Sequence, residues 1–533
     1  MALNDVSFQL GQGGLGRPLP GEDYISGIIF YNSSPPAAFQ GTGNNIKQVF
    51  QTSDAEALGI TNTYSDEVQA TATFTVSAIG AIGDVTTISV AEPSSSGGTT
   101  SVTLGSYTQL STDSSASTLA TNIAAAINIG TLTHGYKATV ASGVITITAR
   151  VGLGTYLNTA SSPLSYSSVS SSGGSGTITV TIVQFGHSGT VVGVASKLAV
   201  YHYHISEYFR IINAVSGQGN LYVGFFSAPD VSGSWAEIAS MQNFADGTIR
   251  QLAIYNDQYS YTTGTASTFT GAIQGIQAQE VTLDGLHMPL SIVYACDFKG
   301  VSLAALSDLS TLNSSKVSIA LGQDGAAQGW SLFEAYGKSI TCLGATLGAI
   351  SAAAVSEDIA WVGKFDLSDG TELDTAAFAT GDLYRTIANS ELTQIDNQRY
   401  IFLRKFIGQT GTYFNDSHCA ILQNSDYAYI ENNRTIDKAK RGMYVSLLPA
   451  LNSPLTLNSD GTLANTTISY LETLGEQPLQ QMQRDGDLSN YQVTIDATQN
   501  VLSTSIVKVN ALIQPQGVAR NIQVTIGYTT SIQ

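Results

Sequence analysis

The stretch PLSIVYACDF (Pro289–Phe298) constrains the fold most. It is nearly all apolar, so as a strand it has no face fit for water. Such a strand must be covered on both sides. Its neighbours supply the cover. TIRQLAIY (Thr248–Tyr255) reads as a strand before it, and a helix (Leu303–Leu312), a strand (Lys316–Leu321) and a long small-residue helix (Ile340–Trp361) follow. Strand–helix alternation predicts a sheet covered by helices, an α/β (α+β) multidomain fold with a mixed-sheet core. In the last helix Gly344, Gly348 and Ala352 recur at i, i+4 and i+8, one smooth face that another backbone can approach. Its apolar part, Ile340–Val355, falls short of the roughly 20 residues that span a bilayer. It carries Thr and Ser, and reads as a packed core helix.

Other elements follow from the same patterns. YISGIIFY (Tyr24–Tyr31) is a strand. Ser53 to Leu58 is a short helix, with capping-box spacing from Ser53 to Glu56 and Gly59 as its stop. VYHYHISEYFRII and LYVGFFSAP read as strand-rich. Helices are expected around Asp426–Met443 and Thr466–Asp485, and strands at YQVTIDA, SIVKVNALIQ and NIQVTIGYTTSIQ. Both ends alternate: Val6, Phe8 and Leu10 share one face near the start, and Ile522, Val524, Ile526 and Tyr528 share one face at the end.

Between Val68 and Ala195 the only charges are Asp84, Glu92, Asp113, Lys137 and Arg150. β patterns there alternate with Ser/Gly runs (Ser94–Gly98, Ser167–Gly176), interrupted by one amphipathic segment, Leu119–Ile127. This predicts a small, mostly β module inserted into another domain. The expected organisation is an N-terminal arm (1–22), a core (23–67 and 196–420), the insert (68–195), a C-terminal domain (421–515) and a C-terminal strand arm (516–533).

Composition narrows the function. Only 12% of the 533 residues are charged, while Gly alone contributes 52. Small, neutral surfaces suit close backbone approach and large buried contacts. A net charge of −18 argues against wrapping nucleic acid or lying on an anionic membrane. Cys296, Cys342 and Cys419 form no CxxC and no disulfide framework, and read as buried free thiols made in a reducing compartment. The start has neither a basic nor an apolar leader region, so no secretory signal is expected.

No catalytic constellation stands out, and neither cofactor nor metal is expected. Gly11-Gln12-Gly13-Gly14-Leu15-Gly16 spells G-x-G-x-x-G after a strand-like run, the form of a dinucleotide-binding turn. That turn must open a helix, and Pro18 and Pro20 make Arg17–Gly21 an extended loop. The acid expected about 20 residues on is replaced by SSPPAAF (Ser33–Phe39). Gly11, Gly13, Gly14 and Gly16 are better read as a hinge in a flexible arm. His202, His204 and Glu207 form an H-x-H-x-x-E cluster whose histidines would share a face on a strand, but its aromatic flanks suggest packing. His418 and Cys419 would point to opposite faces of a strand, and Asp324-Gly325 reads as a turn.

One resemblance organises these features. SDYAYIENNRTIDKAKRGMYVSLLPALNSPLTLNSDGTL (Ser425–Leu463) resembles the characteristic C-terminal stretch of the contractile tail sheath proteins of myophages and related contractile injection systems. There an NRTIDKA helix leads to a P…N loop and a DGTL turn. The ending is similar too: a V.ID..QN.L strand (Val493–Leu502) and a V.A.I.P.G.A..I.V.IGY segment (Val509–Tyr528). SDAEALGI (Ser53–Ile60), YHISEYFRI (Tyr203–Ile211) and NLYVGF (Asn220–Phe225) resemble one branch of that family, in which a variable β module sits where the composition shifts here.

The resemblance implies a structural, non-enzymatic subunit without cofactors. It would form hexameric rings stacked helically around an inner tail tube protein, with baseplate and tail terminator proteins as further partners, and with no direct contact to nucleic acid or membrane. Arms would exchange strands between subunits through Val6, Phe8, Leu10, Ile522, Val524, Ile526 and Tyr528, swinging on the Gly11–Gly16 hinge. The place would be a virion tail made in the host cytoplasm, or a cytoplasmic contractile injection apparatus. The alternative is another structural tail, baseplate or adhesive surface protein.

Overall fold

The computed structural model describes residues 23–63, 69–93, 99–153, 156–171, 178–186, 197–215, 219–230, 234–261 and 266–528. Its centre is a seven-stranded sheet in the order Tyr400–Ile401, Val317–Ala320, Ser291–Asp297, Gln251–Ser260, Ile25–Tyr31, Asn220–Phe226, Ile46–Val49. All pairs are parallel except the last, which makes the sheet mixed. Ser291–Asp297 and Ile25–Tyr31 are buried at every residue, as their apolar runs require. Alternate side chains feed two cores. Ile28, Phe30, Tyr255 and Val293 join the layer containing helices Lys197–Val215 and Leu343–Ala352. Ile29, Tyr31, Ile254 and Tyr294 join the layer containing helices Ala236–Phe244 and Ala266–Gly285.

Residues 69–186 build two sheets of their own. One runs Lys137–Ala141, Val144–Thr148, Thr71–Ala78, Thr179–Gly186, and the other Thr99–Thr108, Val85–Pro93, Leu164–Val169, all antiparallel. Helix Ala116–Ile129 contributes Leu119, Ile123 and Ile127 to a core that draws only on residues 70–185. At the other end of the chain, helix Ile430–Leu447 packs on helix Asn465–Asp485, which backs an antiparallel pair, Leu488–Ile495 with Val509–Pro515.

Several expectations need correction. VYHYHISEYFRII lies inside helix Lys197–Val215, not in a strand. Val200, Tyr201, His204, Ile205, Tyr208, Phe209 and Ile212 recur at helical spacing and are buried, so packing overrides the β propensity of aromatic and branched residues. Leu303–Leu312 is two 3-10 turns, Leu303–Ala305 and Leu309–Thr311, because the Asp308 carboxylate accepts the Ser310 N–H and starts a new turn. The helix expected over Ile340–Trp361 spans only Leu343–Ala352. Thr341 has φ +43°, and beyond Ala353 the Glu357 carboxylate accepts the Ala354 N–H. The capping box at Ser53 is replaced: helix Thr52–Ala57 has Asp54 accepting the Phe50 N–H. The strand expected at NIQVTIGYTTSIQ forms no ladder over Asn521–Tyr528, and every residue there is exposed. The strand expected at Asn4–Leu10 lies outside the described residues.

Helices Lys197–Val215 and Leu343–Ala352 meet through the predicted smooth face. A Cβ on Gly344 would stand 2.1 Å from the His204 carbonyl oxygen, and one on Gly348 2.7 Å from that of Tyr208. The two backbones touch, and no side chain fits between them.

Candidate functional site

Helix Ile430–Leu447 carries NRTIDKAKR, and almost every polar residue in it is committed. Asn433 Nδ2 donates to the carbonyls of Ser315 (2.8 Å) and Tyr427 (2.9 Å). Arg434 donates to the carbonyls of Ala353, Ala354 and Asp23, and Thr435 to that of Val355. Asp437 pairs with buried Lys316. These contacts fasten the helix to the central sheet.

The helix also holds the residues at which both ends of the chain depart. Asp23, where the described chain begins, pairs with Lys438 (2.7 Å) and Arg441 (2.9 Å). Lys438 pairs with Asp487 as well. Burial opposes the Lys438 charge, but Asp23 and Asp487 outweigh it and its pKa is raised. At the other end of the helix Glu431 receives Arg520, the last charged residue of the sequence. Arg520 Nε also donates to Asp416 (3.0 Å), and its terminal nitrogen to Asp358 (3.1 Å). Its guanidinium lies over the Tyr429 ring, 3.5 Å from the centroid. Burial, followed by the charges of Glu431 and Asp416, pushes the Asp358 carboxyl up to about 8, against the pull of Arg520.

Beyond Arg520 the alternation is laid bare. Ile522 is 78% exposed, Val524 73%, Ile526 90% and Tyr528 fully exposed. A segment with one apolar face by alternation, whose main chain joins no ladder among the described residues, has the pattern of a strand lacking its sheet. The other arm residues, Val6, Phe8, Leu10 and the hinge glycines Gly11, Gly13, Gly14 and Gly16, lie outside the described residues.

The remaining candidates resolve into structure. On their helix His202 Nε2 meets Glu56 at 2.8 Å, while Glu207 is clasped by Arg210. His204 is fully buried between Phe30 and Tyr255, with no partner for either ring nitrogen. The three do not converge, and among the described residues no group of three or more His, Cys, Asp or Glu is placed to hold a metal ion. His418 reaches Asp396 at 3.0 Å, away from Cys419, whose thiol burial raises to about 11. Asp324 collects the N–H groups of Ala326, Ala327, Trp330 and Leu373, and so orders the start of helix Gln328–Tyr336. All three cysteines are buried and free. No helix among the described residues is long and apolar enough to cross a membrane.

His204 has a measurable consequence. Burial drives its pKa down from 6.5 to about 3, so the folded core holds it neutral. Below pH 6.5 the unfolded chain binds a proton that the folded chain refuses. Stability therefore falls with decreasing pH, by about 1.4 kcal/mol per unit between those two values. His204→Leu, which removes two unpaired nitrogens, should unfold within about 1 kcal/mol of the parent at pH 7.5 and be about 2 kcal/mol more resistant relative to it at pH 5. Urea titrations at the two pH values check this.

The sequence matches two family models, "DUF2586, N-terminal domain" over residues 3–418 and "DUF2586, C-terminal domain" over residues 426–533. No curated protein sequence matches. Among solved structures, a chain of the cryo-EM structure of the anti-feeding prophage (AFP) baseplate aligns at 13% identity and TM-score 0.41, over 64% of this chain and 83% of that one. A chain of the PVC sheath complex in its contracted state, from an extracellular contractile injection system, aligns at 13% and 0.39, over 62% and 80%.

Proposed function

The chain belongs to the DUF2586 family along nearly its whole length, and we propose that its role there is that of a contractile sheath subunit, a structural rather than catalytic protein. Subunits would join by strand exchange into hexameric rings stacked around an inner tube, and the stack would shorten to drive the tube through a target envelope. The observation that carries this reading is the exposed, alternating segment Asn521–Tyr528, which joins no ladder among the described residues. Such a segment gains about 1 kcal/mol per main-chain hydrogen bond when it completes a neighbour's sheet. The resemblance of Ser425–Leu463 and of the chain's ending to tail sheath proteins supports the same reading. Val6, Phe8 and Leu10 would act as a second exchanged strand on the Gly11–Gly16 hinge.

Work would come from repacking rather than from nucleotide hydrolysis. A small gain per subunit, summed over a long lattice, suffices. Baseplate and terminator proteins would start and end the stack, in a virion tail or an injection apparatus.

Negative-stain electron microscopy of the purified chain, alone and co-expressed with its tube protein, tests the proposal. Hollow tubes with a regular axial repeat are expected. Monomers under both conditions would refute it. Deleting residues 68–195 should leave the tubes intact but thinner, because that region has its own core. Tubes lost from a soluble, folded deletion variant would show that the insert holds subunits together.

A further inference from the structure

We propose that Arg520 is a latch: it fixes where, and in which direction, the Asn521–Tyr528 strand leaves the subunit, and its grip depends on the ionisation of the acidic pocket it fills. The role in assembly rests on the reading of that segment as a donated strand; the latch itself does not. Among the described residues, it is Arg520 that hydrogen-bonds Gly517–Tyr528 to the rest of the chain, through Asp358, Asp416, Ser417 and Glu431. No other ion pair or side-chain hydrogen bond ties Gly517–Tyr528 to the rest of the described residues. Beneath Gln516–Arg520 lies a cavity of about 980 Å³, bordered by Trp361, Arg404 and Phe406 rather than filled by the segment. The arm is therefore held at one point by charge, and it can leave without opening a hydrophobic core.

The pocket has more acid than base. Asp358 and Glu431 are buried, and Asp416 is nearly so. His418 stands 3.9 Å from Asp416 and is itself turned toward Asp396. Arg399, over the Tyr429 ring at 4.9 Å, donates to the carbonyls of Cys419 and Ala428 instead of to the carboxylates. Glu357, on the cavity rim, is taken by Lys364, and Asp485 on the same rim by Gln481. Arg404, on the same border, lies over the Phe406 ring, so among the described residues Arg520 is the arginine hydrogen-bonded to Asp358, Asp416 and Glu431.

The sign of the pH dependence follows. Arg520 lowers the pKa of Asp358 relative to the same pocket without it, although burial leaves the net value at about 8. A group depressed in the latched state favours that state at high pH and stops doing so as pH falls through its latched pKa. Release takes up a proton, so the latch is tighter at pH 9 than at pH 7.

The test uses the full chain as a monomer. With all native cysteines buried, Thr525→Cys accepts one nitroxide label, and its electron paramagnetic resonance spectrum reports the mobility of the arm. The parent should show a slow component at pH 9 that shrinks at pH 7. In Arg520→Ala the slow component should be lost at both pH values, and Arg520→Lys should restore part of it. Asp358→Asn should fold, keep a weaker slow component and lose the pH response. Equal spectra for parent and Arg520→Ala would overturn the latch. In assembly, Arg520→Ala should polymerise more slowly, on the order of tenfold, because the strand is no longer preorganised. Normal tube growth with a freed arm would overturn the positioning role while leaving the sheath reading intact. A parent chain that shows the latch but forms no tubes, with or without the tube protein, would overturn the sheath reading and with it the role in assembly.

Discussion

Changing Ile522, Val524 and Ile526 together to Asp should abolish tube formation and leave the monomer as stable as the parent. All three are largely exposed and belong to no core in the single chain, so folding stability should change by less than about 1 kcal/mol. In a strand-exchanged lattice the same three residues face a neighbour's core. A buried, unpaired carboxylate costs at least about 3 kcal/mol, and three of them weaken association by about a millionfold. Asp at Gln523 and Thr525, on the opposite face of the segment, supplies the control: tubes should persist. Sedimentation and electron microscopy read both variants. If the triple variant still forms tubes, the segment is not a donated strand.

Substitution of Gly344 should unfold the core. In an ordinary helix interior Gly→Ala stabilises by about 1 kcal/mol. Here the new Cβ would stand 2.1 Å from the His204 carbonyl oxygen and 2.8 Å from its Cα. The helix must then move off Lys197–Val215, at a cost of about 3 kcal/mol for Ala, and Val at this position should yield no soluble protein. Gly271, on helix Ala266–Gly285, has open space where a Cβ would go. Gly271→Ala should accordingly stabilise by about 0.5–1 kcal/mol. Urea titration of the two alanine variants gives opposite signs if backbone contact is what Gly344 provides, and equal signs if it is not.

The legible parts of this molecule are those where one segment suffices to decide. PLSIVYACDF could only be a covered strand, and it lies inside the sheet, third of its seven strands, with both faces buried. Gly344 and Gly348 could be read as a close-approach face, though not which helix approaches. The helix Lys197–Val215 was obscured because Tyr, Phe and Ile favour strands, and only the sheet and Gly344 beside it decide otherwise. The charge network was hidden for another reason. Asp23, Asp358, Asp416 and Glu431 carry no local pattern, and their partners lie tens to hundreds of residues away. A faint signal existed: RTIDKAKR gathers cations in a chain with only 22, and Arg520 ends the charged sequence. The apolar alternation at Ile522–Tyr528 was visible, but its unpaired state in the single chain was not, since pairing depends on what else is present.

Both ends of the described chain are fastened to one helix, Asp23 through Lys438 and Arg441 and Arg520 through Glu431. Ten residues of helix separate Glu431 from Arg441, a span of about 15 Å. In a polymer joined through its ends, a pull arriving at one end would reach the other along that short rod. The module at 69–186 lies off that path, while the contacts of Asn433 with Ser315 and of Asp437 with Lys316 brace the rod against the seven-stranded sheet. Each subunit would be a stiff link in a tensile mesh, and the module at 69–186, carrying no load, could change shape and sequence without weakening the mesh.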